Sequence, residues 1–294
     1  MAFDNVRSIL SINSPLSSFK LLCVAASFSR PHLRTLCHSL LEPFVRDGEV
    51  NVRYRCKQRD QTIHLRLSEL ESDFMSALEL GARDTYHIDD GFHPDLVIDG
   101  GGNIGLFTLR AAALEASEGR TPRFVIYEPM PHNSTQCRRH LEENHIDARI
   151  VNACLGGTRR SLPFYCRGAI DSSFDSSKPY NNIVEMPVHL LEDAIGDSPA
   201  ERIMIKLDIE GMEVETLCAF VPAETRPVYV VGELHDVSVN LPPLEMLFDT
   251  HGWSYDLGPI AGDQAIFHAC SPAALPMLPS MSRITTSNVA AAAA

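Results

Sequence analysis

The chain has 294 residues, room for one large domain or one domain with appendages. With 45% hydrophobic and 21% charged residues it has the composition of a globular protein with a substantial core. The net charge of −13 counts against a nucleic-acid partner, because neutralising phosphates takes Lys and Arg in excess or in a dense patch. The neighbouring basic doublets, Arg138–Arg139 and Arg159–Arg160, read as solvated surface.

No two of the eight cysteines are closer than twelve residues, which excludes a CxxC zinc or redox pair. Several lie in apolar runs, as buried thiols do, and imply a reduced, cytoplasmic protein. His140 and His145 are five residues apart, which does not put them on one helical face as a metalloprotease-type pair requires. The early run "FKLLCVAASFS" lacks the basic start of a secretion signal, since Asp4 and Arg7 cancel, and is too short to span a membrane. It reads as a core-facing helix, with no membrane partner.

Residues 1–91 read as a separate N-terminal layer. Residues 18–46 are helix-like and interrupted by Pro31. "EVNVRYRC" and "QTIHLRLS" alternate apolar and polar residues about a charged turn, the pattern of a hairpin. "ELESDFMSALELG" spaces Phe74, Leu78 and Leu80 as on a helix stopping at Gly81.

Residues 92–271 alternate strands and helices. Leu96–Asp99 is a first strand and Leu106–Ala116 a helix; "RFVIYE" is a second strand, "NSTQCRRHLEEN" a second helix and "ARIVNACL" a third strand. Residues 156–187 read as irregular and hairpin-like. "RIMIKLD" is a fourth strand, followed by the helix "MEVETLCAF" with Val214, Leu217 and Cys218 on one face. "VYVVGELH" is a fifth strand and "PLEMLFDTHG" a helix; "WSYDLG" and "DQAIFHA" are two last strands almost back to back. Residues 272–294 form a C-terminal tail. Such alternation predicts an α/β fold, a largely parallel sheet with helices on both faces, and a ligand beyond the carboxyl ends of the strands. Asp99, Glu128, Asp208 and Glu233 leave strands there.

Gly100, Gly102 and Gly105 fit G-x-G-x-x-G, the fingerprint of a dinucleotide site, yet a site for S-adenosylmethionine (SAM) needs a glycine-rich first loop too. An acidic residue ending the second strand, here Glu128, suits either. Three features favour SAM. Asp99 before the glycines is poorly placed beside a pyrophosphate and well placed for a sulfonium and an ammonium. No tyrosine has a lysine four residues on, so the acid–base pair of one common dehydrogenase class is missing. The two closing strands suit a sheet with an antiparallel last strand better than two Rossmann halves.

With these residues in view the chain resembles the FkbM-type family of SAM-dependent methyltransferases. "VIDGGGNIGLFT", "YEPMPHN", "IKLDIEGMEVETL" and "VGELHD" match its motifs in order, from about Leu96 to Asp236. Gly101 stands where the family usually has alanine, a small departure that opens the loop. The resemblance implies a class I, Rossmann-like, seven-stranded, mostly parallel sheet with an antiparallel last strand. It also implies a SAM-binding catalytic domain over 92–271 and O-methylation of a hydroxyl on a small-molecule or sugar-containing natural product.

The resemblance carries cofactor binding to Asp99, Gly100, Gly101, Gly102, Asn103 and Gly105. Glu128 is expected to hold the ribose, Pro129 and Asn133 to shape its loop, and Cys154 and Leu155 to border the adenine. Asp208 is expected beside the transferable methyl, compensated by Lys206; Glu210, Glu233 and His235 share the crevice, and His235 is the expected base because an imidazole titrates near neutrality. A Mg2+ ion on the acidic residues, clamping a vicinal diol, is a less favoured alternative, and a non-catalytic SAM-binding scaffold another. "DIEG" replaces the N-P-P-aromatic run of base-amino methylases after the fourth strand. The expected partner is therefore a small-molecule acceptor and not nucleic acid. The acceptor is expected against the N-terminal layer, the 156–187 segment and the loop after His235, with Ser172, Ser173, Phe174, Tyr180 and Trp253 as lining. The N-terminal helices could instead build a homodimer.

Overall fold

The computed structural model describes residues 15–29, 34–56, 59–78, 85–88, 91–166 and 179–278. The N-terminal layer comprises helices α1 (Pro15–Ser29) and α2 (Arg34–Leu41), strands β1 (Val45–Arg46), β2 (Glu49–Cys56) and β3 (Arg59–Arg66), and helix α3 (Leu70–Ser76). Then follow β4 (Leu96–Gly100), α4 (Leu106–Ser117), β5 (Arg123–Tyr127), α5 (Pro131–Glu143), β6 (Ala148–Val151), β7 (Cys154–Leu155), β8 (Arg160–Cys166), β9 (Asn182–His189) and α6 (Leu191–Ile195). The chain continues through β10 (Ile203–Leu207), α7 (Glu213–Phe220), β11 (Val228–His235), α8 (Val237–His251), β12 (Ser254–Leu257) and β13 (Gln264–Cys270).

The central sheet has seven strands in the order β12-β13-β11-β10-β4-β5-β6. β6, β5, β4, β10 and β11 are parallel neighbours, while β13 runs antiparallel to both β11 and β12. From β6 across, the strands lie third, second, first, fourth, fifth, seventh and sixth in chain order, with the seventh reversed. This is the class I methyltransferase fold.

Strand alternation builds both faces. Leu96 and Ile98, Ile203 and Ile205, and Val228 and Val230 point to one side, where Leu217, Phe220 and Phe248 of α7 and α8 cover them. Val97, Met204, Tyr229 and Val231 point to the other, against Phe107 and Ala111 of α4. A parallel sheet covered on both faces reads as continuous apolar runs, which is why its central strands are visible in the sequence.

The structure revises several expectations. The third strand divides: β6 joins the main sheet, whereas β7 pairs with β9 in a three-stranded sheet with β8. The antiparallel pairing of β8 and β9 bears out the hairpin expected within 156–187, and residues 167–178 lie outside the described residues. Cys218 is exposed, because α7 buries Glu213, Thr216, Leu217 and Phe220 instead. α8 begins directly after β11 and contains Pro242 and Pro243. Trp253 packs on Phe248 in the core, with ring centroids 5.9 Å apart, and does not line an acceptor site. Gly81, Pro31, Ser172, Ser173 and Phe174 lie outside the described residues. Start of the tail, Ala274 and Leu278, is buried against the sheet.

The N-terminal layer is joined to the sheet domain by a shared core in which Val50, Ile63 and Phe74 meet Leu106, Leu109 and Leu141. The free edge of β3 is closed by side chains of and next to α5. Asn144 accepts from the Thr62 amide (2.9 Å) and donates to the Thr62 carbonyl (2.8 Å). His140 accepts from the His64 amide (2.9 Å), and Gln136 donates to the His64 carbonyl (2.9 Å). The backbone of Thr62 and His64 on the edge strand is thus satisfied without another strand. No described helix is long and apolar enough to cross a membrane.

Candidate active site

A cleft of about 460 Å³ opens at the carboxyl ends of β4, β5, β10 and β11. Its floor is the turn between β4 and α4. Gly101 there has φ +72°, and a Cβ on it would lie 1.8 Å from the Asp208 carbonyl oxygen. Alanine at 101 therefore cannot enter without displacing the turn after β10, so glycine there is not the small departure from the resembled motif that was expected. Asn103 is left-handed too, at φ +47°. Its amide N–H donates to Glu128 Oε2 (2.7 Å) and its Nδ2 to Ser76 Oγ (3.1 Å). Its Oδ1 is buried without a hydrogen-bond partner.

Glu128 ends the β5 side of the cleft, only 4% exposed. Burial raises its pKa to about 7, against the pull of the Met130 and Asn103 amides. Lys206, 3% exposed, lies under the glycine turn. It donates to the carbonyls of Gly100 (3.1 Å) and Gly101 (2.6 Å) and stands 3.7 Å from Asp99 and 3.4 Å from Asp208. Burial would discharge this ammonium, but the charges of Asp208 and Asp99 raise its pKa above the ordinary lysine value. Burial likewise pushes Asp208 up, and the charges of Lys206 and His235 with a hydrogen bond from Tyr86 bring it below the usual value.

The far wall holds Glu210, Glu233 and His235. His235 Nδ1 donates to Glu213 Oε1 (3.1 Å), and Nε2 is 3.7 Å from Glu210. Burial disfavours the imidazolium, but the hydrogen bond and charge of Glu213, with Glu210 and Asp208, raise its pKa to about 9. His235 is therefore an imidazolium at neutral pH, further from the free value than its position in the sequence suggests. Glu213, fully buried at the start of α7, also accepts from the Ile209 (2.9 Å) and Gly211 (3.0 Å) amides. It thereby staples the turn after β10 to β11.

Among the residues expected at the cofactor, Gly101, Gly102, Asn103, Glu128, Pro129, Cys154, Leu155 and Asp208 line the cleft; Asp99, Gly100, Gly105 and Asn133 stand behind it. Asp99 is wholly buried, accepts from Thr108 Oγ1 (2.8 Å) and faces Lys206, so its carboxylate holds the turn rather than meeting the charge of a ligand in the cleft. Asn133 sits behind Glu128 and accepts from Arg66 (3.1 Å). Sequence reasoning missed Glu213, although an acidic residue opens that helix. It also missed Met75, Ser76, Thr85 and Tyr86 of the N-terminal layer, and Pro259, Ala261 and Gln264 around the β12–β13 turn. That turn, rather than a loop after His235, closes the wall. Phe164 of β8 joins it, and Tyr180 packs on Tyr165 at 5.0 Å outside the cleft lining.

No family model and no curated protein matches the chain. Solved structures do. The Thermus thermophilus 16S rRNA N2 G1207 methyltransferase RsmC, in complex with AdoMet and guanosine, is 13% identical over 77% of this chain and 51% of its own, with a TM-score of 0.43. A METTL16 MTase domain is 13% identical over 72% and 73%, TM-score 0.40. The Pyrococcus abyssi tRNA (uracil-54, C5)-methyltransferase, in complex with S-adenosyl-L-homocysteine, is 12% identical over 75% and 44%, TM-score 0.35. The chain thus spans about half the length of the RsmC structure. The expectation of a small-molecule acceptor with nucleic acid excluded does not stand. Structures similar to this chain include enzymes named for rRNA and tRNA, and a net charge summed over a whole chain does not fix the partner of one cleft.

Proposed function

We propose that the chain is a SAM-dependent methyltransferase that transfers the methyl group to a hydroxyl oxygen, in line with its resemblance to the FkbM-type family. The observation that carries this reading is the joining of three features in one cleft: the glycine turn, the buried Glu128 carboxylate, and the wall of Asp208, Glu210 and Glu233. Their chemistry fits the cofactor. Glu128 accepts from ribose hydroxyls, the unpartnered Asn103 Oδ1 accepts from the ammonium, and the acidic wall attracts the sulfonium.

Methyl transfer is an in-line displacement: the acceptor oxygen bonds the methyl carbon as the carbon–sulfur pair leaves to sulfur. Alignment supplies much of the rate. His235 Nε2, with Nδ1–H anchored on Glu213, takes the hydroxyl proton once it has itself been deprotonated.

Glu128 provides the test. Its carboxylate accepts best when ionised, so SAM affinity should fall as pH drops through about 7. Glu128→Gln should remove that step and weaken SAM binding by about 10–100-fold, the worth of one or two charge-assisted hydrogen bonds. Calorimetric titration of SAM across this pH range reads both; equal affinity for the two proteins throughout would refute Glu128 as the ribose acceptor.

A divalent ion has a geometric case, because Asp208, Glu233 and His235 each offer a ligand atom and these lie within 4.8 Å of one another. His235 Nδ1, however, is already bonded to Glu213, so an ion would have to take Nε2 in competition with the proton that Glu210, 3.7 Å away, favours there. Turnover is expected to be unchanged after chelator treatment and after adding magnesium; a loss restored by magnesium would replace the imidazolium with a metal.

A further inference from the structure

Tyr86 belongs to the N-terminal layer, upstream of the whole methyltransferase sheet, and is 5% exposed. Its ring packs edge-on against Phe107 of α4, with centroids 5.8 Å apart, and Lys206 Nζ lies 5.7 Å from its centroid. Its hydroxyl reaches across 122 positions of sequence to donate to Asp208 Oδ2 at 2.9 Å. The Lys206 ion pair, at 3.4 Å, falls on that same oxygen. The phenol and the ammonium thus both hold Oδ2, which leaves Oδ1 to meet a ligand. Without the phenol, Lys206 alone would hold Oδ2 and draw the carboxylate toward the buried side of the glycine turn.

We infer that Tyr86 is a positioning residue: it fixes the Asp208 carboxylate toward the sulfonium side of the cleft, so the N-terminal layer completes the cofactor site. The inference rests on the reading of the cleft as a SAM site. It predicts a charge-specific effect. SAM and S-adenosylhomocysteine share every other group, but only SAM carries the sulfonium that an oriented Asp208 attracts.

The experiment is calorimetric titration of the full chain with SAM and with S-adenosylhomocysteine, for wild type, Tyr86→Phe, Asp208→Asn and the double variant. Phenylalanine keeps the ring contact with Phe107 and removes only the hydroxyl. Tyr86→Phe is expected to weaken SAM about tenfold, the order of one hydrogen bond to a charged group, and to leave S-adenosylhomocysteine within about twofold. In the Asp208→Asn background the same change is expected to cost little, because the charge it orients is gone. Equal weakening of both ligands, or an undiminished effect in the Asp208→Asn background, would overturn the positioning role. Wild type failing to bind either ligand would instead overturn the SAM reading.

Discussion

The rate of methyl transfer is expected to rise with pH through the alkaline range. His235 has a pKa of about 9 because Glu213, Glu210 and Asp208 outweigh its burial, and a base works only after losing its proton. kcat/KM for SAM reports the free protein, so it should climb about tenfold per pH unit and level off near that value. Once the sulfonium is bound, its positive charge disfavours the imidazolium, so the limb in kcat should lie at lower pH. His235→Gln should flatten both limbs and lower kcat by about 10²–10⁴, the usual span for a positioned base. A profile flat from neutrality to pH 9, or one His235→Gln leaves in place, would remove His235 from the chemistry. Stability runs the other way. A histidine whose folded pKa is raised stabilises fully below the ordinary value of 6.5 and loses that contribution as pH rises through about 9. This contribution to stability is therefore lost over the same pH range in which the proposed base becomes active.

Lys206→Met is expected to cost about 3–5 kcal/mol of folding stability, the range for stripping one partner from a buried ion pair. The lysine is the cation next to the fully buried Asp99 and holds two carbonyls of the glycine turn. Asp99 already has its pKa raised by burial, and loss of the ammonium raises it further. The deficit should thus shrink as pH falls and Asp99 takes up a proton. Asp99→Asn in the Lys206→Met background should recover part of it, a non-additivity expected of contacting residues. Denaturant unfolding at neutral and mildly acidic pH checks both. A deficit under 1 kcal/mol would mean that the turn does not depend on this charge.

Much of this architecture can be read along the chain because its causes are local. β4, β10 and β11 are buried on both faces and appear as unbroken apolar runs, and the acidic residues that end them mark the carboxyl edge where ligands bind. The carboxylates' division of labour is not local. Asp99 and Asp208 both follow apolar strands, yet Thr108 and Lys206 sequester one while the other reaches the cleft. Tyr86 lies in "RDTYHID", which has no periodicity, so its role exists only because the edge of β3 docks on α5 and brings the layer against α4. Cys218 and Trp253 misled for a related reason. An apolar residue near a helix face or strand start reveals burial only when the packing partner is known, and here Thr216 takes the place expected of the cysteine.

One idea supports the account: a cleft walled by carboxylates selects a cationic sulfur nucleoside over an anionic dinucleotide. Equilibrium dialysis of the intact chain against labelled SAM, with unlabelled S-adenosylhomocysteine and NAD as competitors, tests it most directly. The prediction is saturable retention of SAM at one site per chain, displaced by S-adenosylhomocysteine and untouched by NAD. Free passage of SAM through a chain that retains NAD would contradict it.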